Sequence, residues 1–269
     1  MSEFDIVKSS KKAYTKEMLI DNLRDLGLKA GDNILVHSSL SKLGWIIGAE
    51  RTVLSAIMET VGVNGTIVMP CFSGDNSDPL NWQHPPVPKE WIESIKDNMP
   101  PFDITLSSTR NMGKIVDLFR HYPGVKRSYH PQVSFCAYGP MAEELIENHQ
   151  LSPGFGEESP LQRMYQKRFK VLLLGVGYGN CTCMHLAEVY LNDKKLINTG
   201  SRIIKNGQSI WQPYIEINHD DSDFDVIGKD YEKENLISKG NVGEGVARLI
   251  DMQTITDFAY RWMKINRIY

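Results

Sequence analysis

Residues 31–71 read GDNILVHSSLSKLGWIIGAERTVLSAIMETVGVNGTIVMPC, and the hydrophobic period changes twice along them. Residues 31–37 (GDNILVH) open on turn formers and run into a short apolar segment, which predicts a buried strand, and polar Ser38-Ser39-Leu40-Ser41 follow it. From 49 to 61 (AERTVLSAIMETV) apolar positions recur with the 3.6-residue period of a helix, and 65–71 (GTIVMPC) is a second apolar run entered through Asn-Gly. Strand, loop, helix, strand is a βαβ unit, so the expected fold is α/β with a sheet buried on both faces.

Working outward, residues 15–26 (TKEMLIDNLRDL) place Met18, Leu19, Leu23 and Leu26 at helical spacing between a capping Thr15 and a stop at Gly27. Periodicity disappears over residues 72–103, which are rich in Pro, Asp, Asn and Trp. So long an irregular stretch is uncommon unless it covers a site, and the alternative is a surface loop pinned by prolines. Residues 112–122 are amphipathic, 133–138 (VSFCAY) strand-like and 141–149 helical. Residues 168–177 (RFKVLLLGVG) form the clearest buried strand, and 182–193 continue as a helix. Asn206-Gly207 divides residues 201–218 into two alternating segments, a hairpin signature. Residues 220–234 are expected to be an exposed acidic patch and 254–263 a closing helix. Nothing in the composition marks a second domain, so residues 1–269 are read as one domain. Its expected architecture is a central mixed sheet flanked by helices, with a β-hairpin extension in the C-terminal quarter.

Composition narrows the function classes. The 269 residues carry 30 Lys+Arg against 33 Asp+Glu, a net charge of −3, which implies no nucleic-acid partner. The longest strongly apolar stretch, Val171 to Val176, is far below the ~20 residues that cross a bilayer. Residues 1–20 lack the apolar core of a secretory signal, so a cytoplasmic location is expected. Cys71, Cys136, Cys181 and Cys183 fit reduced thiols, and Cys181-Thr182-Cys183 lacks the second ligand pair of a structural zinc site, so no metal is expected. A monomer or homodimer is expected.

Two segments carry chemistry. His185 and Glu188, three apart, share one helix face just beyond the VLLLGVG strand, where open α/β sheets build their sites. A carboxylate bonded to one ring nitrogen leaves the other as a base near neutral pH. His37-Ser38-Ser39-Leu40-Ser41 likewise follows a strand and precedes a helix, a turn that suits phosphate oxygens or simply caps the helix. No G-x-x-x-x-G-K-[ST] loop and no G-x-S-x-G elbow occurs. Asp75, Asp78, Asp103, Glu157 and Glu158, with Trp82 and Trp91, punctuate the irregular segments and suit a cationic ligand or a stacked ring. His84, His121, His149 and His219 have no partner spacing and are read as structural, while His130, before Pro131, and Arg127 are ambiguous.

These segments, together and in order, resemble the aminoglycoside 3-N-acetyltransferase family. The likeness rests on VHSSLSKLGWIIG (36–48), SDPLNW (77–82), PPVPKEW (85–91), MPPFD (99–103), STRNMG (108–113), FRHYPGVKRSYHPQVSFCAYG (119–139), ESPLQRMY (158–165) and HLAE (185–188). The resemblance implies a fold unrelated to the GNAT acetyltransferases and transfer of an acetyl group from acetyl-CoA to the 3-amino group of an aminoglycoside's deoxystreptamine ring. It implies His185 as base assisted by Glu188. It implies CoA binding by His37, Ser38, Ser39, Leu40 and Ser41, with Thr109, Arg110 and Met112. Asp75, Asp78, Trp82, Glu158 and Thr182 would face the drug. The chain departs from the family where N-T-S-L is replaced by Cys181-Thr182-Cys183-Met184, and where a usual Gly is Asn111. An acyltransferase for another amine, or a non-catalytic protein that binds CoA or antibiotic, stays open as an alternative.

Overall fold

The computed structural model describes residues 3–267; residues 1, 2, 268 and 269 of the expected 1–269 domain lie outside the described residues. Two helices come first, α1 (Glu3–Ser9) and α2 (Lys16–Asp25), the second capped as expected by Thr15, whose hydroxyl accepts from the Met18 amide at 3.4 Å. The βαβ unit then follows as β1 (Asn33–Ser38), α3 (Ala49–Val61) and β2 (Thr66–Pro70), with β1 and β2 parallel and Ile34 beside Ile67. Residues 72–103 are largely irregular, as expected, but include α4 (Ile92–Asn98). Beyond them lie α5 (Gly113–Arg120), β3 (Lys126–Arg127), β4 (Phe135–Tyr138), α6 (Ala142–Ile146), α7 (Pro160–Gln166), β5 (Lys170–Leu174) and α8 (Met184–Tyr190).

The last part of the chain holds the expected hairpin, β6 (Leu196–Lys205) and β7 (Gln208–Ile217). Asn206 and Gly207 turn it with φ of 53° and 76°, the left-handed pair that a two-residue turn of matching twist requires. Then come α9 (Phe224–Glu234), β8 (Ser238–Val242), β9 (Gly245–Asp251) and α10 (Met252–Asn266). Helix α9 corrects the expectation of an exposed acidic patch over residues 220–234. Its acids occupy one side, while Phe224, Ile227, Gly228 and Tyr231 are buried, and a Cβ on Gly228 would stand 1.9 Å from the Tyr178 ring. Hairpin β8–β9, broken by glycines in the sequence, was not legible as strands.

The main sheet has seven strands in the order β3-β4-β2-β1-β5-β9-β8. Only β2-β1-β5 are parallel; the pairs outside them run antiparallel, which makes the sheet mixed, as expected. Strand β1 sits between two neighbours and is buried on both faces. Ile34 and Val36 point into one core with α2, α3 and α5, while Leu35 points into the other with α8 and α10. Among the described residues no helix is long and apolar enough to cross a membrane. All four cysteines are buried free thiols.

Two buried histidines tie the β3–β4 loop to the segment between α6 and α7. His130 Nδ1 accepts from the Gln132 and Val133 amides (3.1 and 2.9 Å) and its Nε2 donates to the Leu151 carbonyl. His149 Nε2 donates to the Gly154 carbonyl at 2.7 Å, and Ser128, whose oxygen accepts from the Phe135 amide, donates to its Nδ1. Each ring therefore needs one bare nitrogen. Burial lowers both pKa values, His149 to about 4, while the unfolded chain titrates near 6.5. Folded pKa values below unfolded ones mean that this stability is whole above pH 6.5 and is lost as pH falls toward 4. At about 1.4 kcal/mol per tenfold change in proton affinity, His149 alone should cost on the order of 3 kcal/mol near pH 4. Urea midpoints measured from pH 7.5 to 5 should fall steadily, and His149→Gln should flatten the slope.

Candidate active site

The carboxyl ends of β2, β1 and β5 open onto one cleft. Strand β1 lies between its two parallel neighbours there, the place in an open α/β sheet where chain connections diverge and leave a crevice. The cleft encloses about 210 Å³ and is lined by His37, Ser38, Phe72, Asn111, Thr182 and His185, among others. Helix α8 starts beneath it, so His185 lies in its first turn with the ring toward the cleft.

His185 and Glu188 meet as their spacing predicts: Nδ1 donates to Oε2 at 2.8 Å. The carboxylate does much more than that. The same Oε2 accepts from His219 Nδ1 at 2.6 Å, while Oε1 accepts from the Asp220 amide at 3.0 Å and from Arg267 Nη1 at 2.5 Å. Arg267 is itself held by both oxygens of Asp223, at 2.6 and 2.7 Å. Glu188 is only 3% exposed. Burial opposes its ionisation, but the hydrogen bonds from His185 and His219 prevail and hold its pKa well below the ordinary range. Burial pushes His219 below the usual histidine value, against the pull of Glu188.

An ionised carboxylate only accepts, so both Nδ1 atoms carry protons and His185 Nε2 keeps its lone pair. Phe155 stacks on the His185 ring at 5.3 Å and 5°, and Phe224 closes its other side at 4.8 Å, which fixes the ring and keeps water from its faces. His185, Glu188 and His219 also form a donor set compact enough for a metal ion, with atoms within 4.8 Å of one another. In this geometry the two Nδ1–H bonds occupy that space. His219 was expected to be structural; folding instead gives it the same carboxylate as His185.

A groove of about 830 Å³ leads away from the cleft and shares Ser38, Asn111, Met112 and Asn180 with it. Its wall brings together Ser38, Ser39, Leu40, Ser41 and Met112 with Lys114 and the starts of α3 and α5. Neither helix has a side-chain cap, and the positive ends of their dipoles adjoin the groove, whose wall also carries the carboxylates of Glu3 and Glu50. Asn111 adopts φ of 59°, a left-handed conformation that glycine adopts freely and asparagine tolerates. Thr109 lines the adjoining depression beside Lys114, and Arg110 turns away to pair with Asp75 and the His84 carbonyl.

The carboxylates expected to face a cation are spread out. Asp75 lines a separate depression with Asp103; Asp78 is buried, accepting from the Leu80 amide and pairing with Lys96 at 3.0 Å; Glu158 pairs with Arg163 at 3.3 Å. Trp82 donates to the Ser77 hydroxyl at 2.9 Å. Asp221 is the acid that lines the His185 cleft, and Glu216 lines a pocket of about 300 Å³ with Phe155 and His219. Neither was singled out from the sequence, where both lie in ordinary surface-like surroundings.

The chain is similar to known proteins in sequence and in fold. Residues 35–264 match the model of the family described as aminoglycoside 3-N-acetyltransferase. The SPbeta prophage-derived aminoglycoside N(3')-acetyltransferase-like protein YokD of Bacillus subtilis is 42% identical over 97% of this chain and 96% of its own. The crystal structure of YokD superposes with a TM-score of 0.96 at 41% identity, covering 98% of both chains. AAC-IIIb in binary complex with CoASH gives 0.84 at 28% identity over 94% and 97%, and AAC-VIa bound to sisomicin gives 0.84 at 26% over 96% and 100%.

The four-way bonding of Glu188 sets the cost of removing it. Glu188→Ala takes the acceptor from two imidazole N–H groups and from the Asp220 amide and removes one of the two carboxylates that hold Arg267, and should destabilise the fold by about 3 kcal/mol, read from urea unfolding at pH 7.5. His185→Ala leaves the other bonds in place and should cost less than half of that. Because the folded pKa of Glu188 is depressed, its contribution is whole above about pH 4.5 and lost below it. The gap between wild type and Glu188→Gln should therefore narrow as pH falls through 4.5.

Proposed function

The chain belongs to the aminoglycoside 3-N-acetyltransferase family, and from that premise we propose that it transfers the acetyl group of acetyl-CoA to the 3-amino group of the 2-deoxystreptamine ring of an aminoglycoside, with His185 as general base. One observation carries the reading: a histidine oriented by a buried carboxylate stands where a long groove with two uncapped helix starts runs into the cleft. The groove accommodates an extended CoA, its phosphates toward the α3 and α5 amides and Lys114, its thioester toward Ser38, Thr182 and His185. The CoASH complex of AAC-IIIb and the sisomicin complex of AAC-VIa support the same pair of substrates.

The chemistry follows from the tautomer. A neutral substrate amine attacks the thioester carbonyl carbon, and as the C–N bond forms His185 Nε2 takes the amine proton. Positive charge then grows on the imidazole, which Glu188 stabilises more in the transition state than before it. Collapse of the tetrahedral species breaks the C–S bond, and the departing thiolate recovers the proton from His185. Direct transfer is favoured over an acyl-enzyme at these cysteines, because Cys181 and Cys183 are fully buried and their mutual hydrogen bond, with burial, pushes the Cys181 thiol up, away from the reactive thiolate.

A second reading, transfer to an amine with fewer charges, is favoured by one finding. Asp75, Asp78 and Glu158 are already paired with Arg110, Lys96 and Arg163, which leaves Asp221 and Glu216 nearest the dyad to meet a cation. A panel of amines separates the readings. Release of free thiol from acetyl-CoA should accelerate with aminoglycosides bearing a free 3-amino group, and mass spectrometry should find one acetyl on the drug. Turnover of another amine alone would favour the second reading. His185→Ala should lower kcat by about 10²–10⁴-fold with CoA affinity nearly unchanged; wild-type kcat in a folded His185→Ala would remove His185 as the base.

A further inference from the structure

His37 is the last residue but one of β1, at the centre of the sheet, and it is not placed like the serines that follow it. Side chains alternate along the strand. Val36 packs with α3 and α5, and Ser38 lines the groove, so His37 points to the opposite face with Leu35, the face that carries α8. There it lines the cleft beside His185. The ring is only 8% exposed, and its Nε2 is buried with no hydrogen-bond partner among the described residues. Such an orphan is uncommon: a buried unsatisfied polar group costs about 1–3 kcal/mol. The other buried histidines described above have their nitrogens bonded within the protein, apart from His219 Nε2.

We propose that His37 is a second catalytic histidine, which donates its ring N–H to the carbonyl oxygen of the acyl thioester and stabilises the oxyanion formed when the amine attacks. The proposal rests on the acetyl-transfer reading above. In the step itself, the amine nitrogen bonds to the carbonyl carbon and the C=O electron pair moves onto oxygen, where His37 holds it. His185 takes the amine proton, the pair returns, the C–S bond breaks and CoA leaves as the thiol, with the proton supplied by His185. His37 gains and loses nothing.

The neutral form suits this task. Burial, with the neighbouring His185 adding to it, lowers the His37 pKa to about 3, so at working pH the ring always carries one N–H and no charge. A neutral donor does not repel the imidazolium that develops on His185, whereas a charged one would raise the barrier to the proton transfer it is meant to assist. A neutral imidazole that polarises a carbonyl is an established catalytic device on other folds. The location fits as well. A carbonyl oxygen beside Thr182 and between the two rings would place its carbon within reach of an amine delivered to His185, and the ligand would supply the hydrogen bond that the protein leaves unmade.

The test uses the carba(dethia) analogue of acetyl-CoA, a ketone with methylene in place of sulfur and therefore no leaving group, labelled with ¹³C at the carbonyl. Bound to the wild-type protein, its carbonyl stretch should lie below its frequency in buffer, and in His37→Ala it should return toward the buffer value while CoA itself binds both proteins equally. Acetyl transfer by His37→Ala should fall about 10²–10³-fold in kcat, the usual loss for one oxyanion donor, and His37→Gln, which keeps an N–H, should recover part of it. A carbonyl band that stays shifted in His37→Ala overturns the proposal. Should His37→Ala fail to fold, histidine-labelled wild type decides: the His37 N–H resonance should move with the ketone and not with CoA, and equal response to both overturns the proposal. A wild-type protein that binds neither CoA nor the ketone would instead overturn the acetyl-transfer reading, and this one with it.

Discussion

The carboxylate of Glu188 is the interaction on which the rest of the site depends. It brings a charge into the interior and survives there because three different parts of the chain converge on it: His185 from its own helix, His219 and Asp220 from the exit of the β6–β7 hairpin, and Arg267 just past α10. An isolated buried charge would be lost to protonation or would unfold its surroundings. Each partner offsets part of that cost, so the orientation of His185 is tied to the correct seating of the hairpin exit and of the last helix. Asp223 extends the chain of constraint by fixing both branches of the Arg267 guanidinium.

Near this anion burial pushes the pKa values of His219, His130 and His149 down. His130 and His149 use both nitrogens to join the β3–β4 loop to the α6–α7 segment that contains Gly154, and Phe155, the next residue, is the ring that stacks on His185. Glu216 accepts from the Gly154 amide at 2.8 Å and anchors the same loop from the hairpin side. The hairpin thus reaches the site twice, through Glu216 to the stacking ring and through His219 to the carboxylate. Its Asn206-Gly207 turn lies at the far end, but its base holds Glu188 and the segment that carries Phe155.

The sheet divides the labour between its faces. Because alternate residues of a strand point to opposite sides, His37 and Ser38 leave one strand end differently: both line the His185 cleft, but only the serine also lines the longer groove. Along the groove the starts of α3 and α5 carry no side-chain cap, and at α3 the N-cap is Gly48, which has no side chain to supply one.

Much of this architecture was legible in local patterns. The 3.6-residue period marked α3 over Ala49–Val61, and the short apolar runs either side of it predicted two strands that pair in parallel. Asn206-Gly207 marked the hairpin because few residues tolerate left-handed backbone, and the three-residue spacing of His185 and Glu188 placed them in contact because helix geometry is invariant. What the tertiary structure alone decided was everything joined across distance. His219 and Arg267 reach Glu188 from 31 and 79 residues away, and Asp75, Asp78 and Glu158 find cations that no spacing relates to them. Helix α9 was hidden because its acidic side dominates the composition while four buried residues, one a glycine pressed against Tyr178, set its position. A period reports how one element turns its own faces. Which faces then meet depends on the burial of the whole chain at once, and no window of sequence contains that sum.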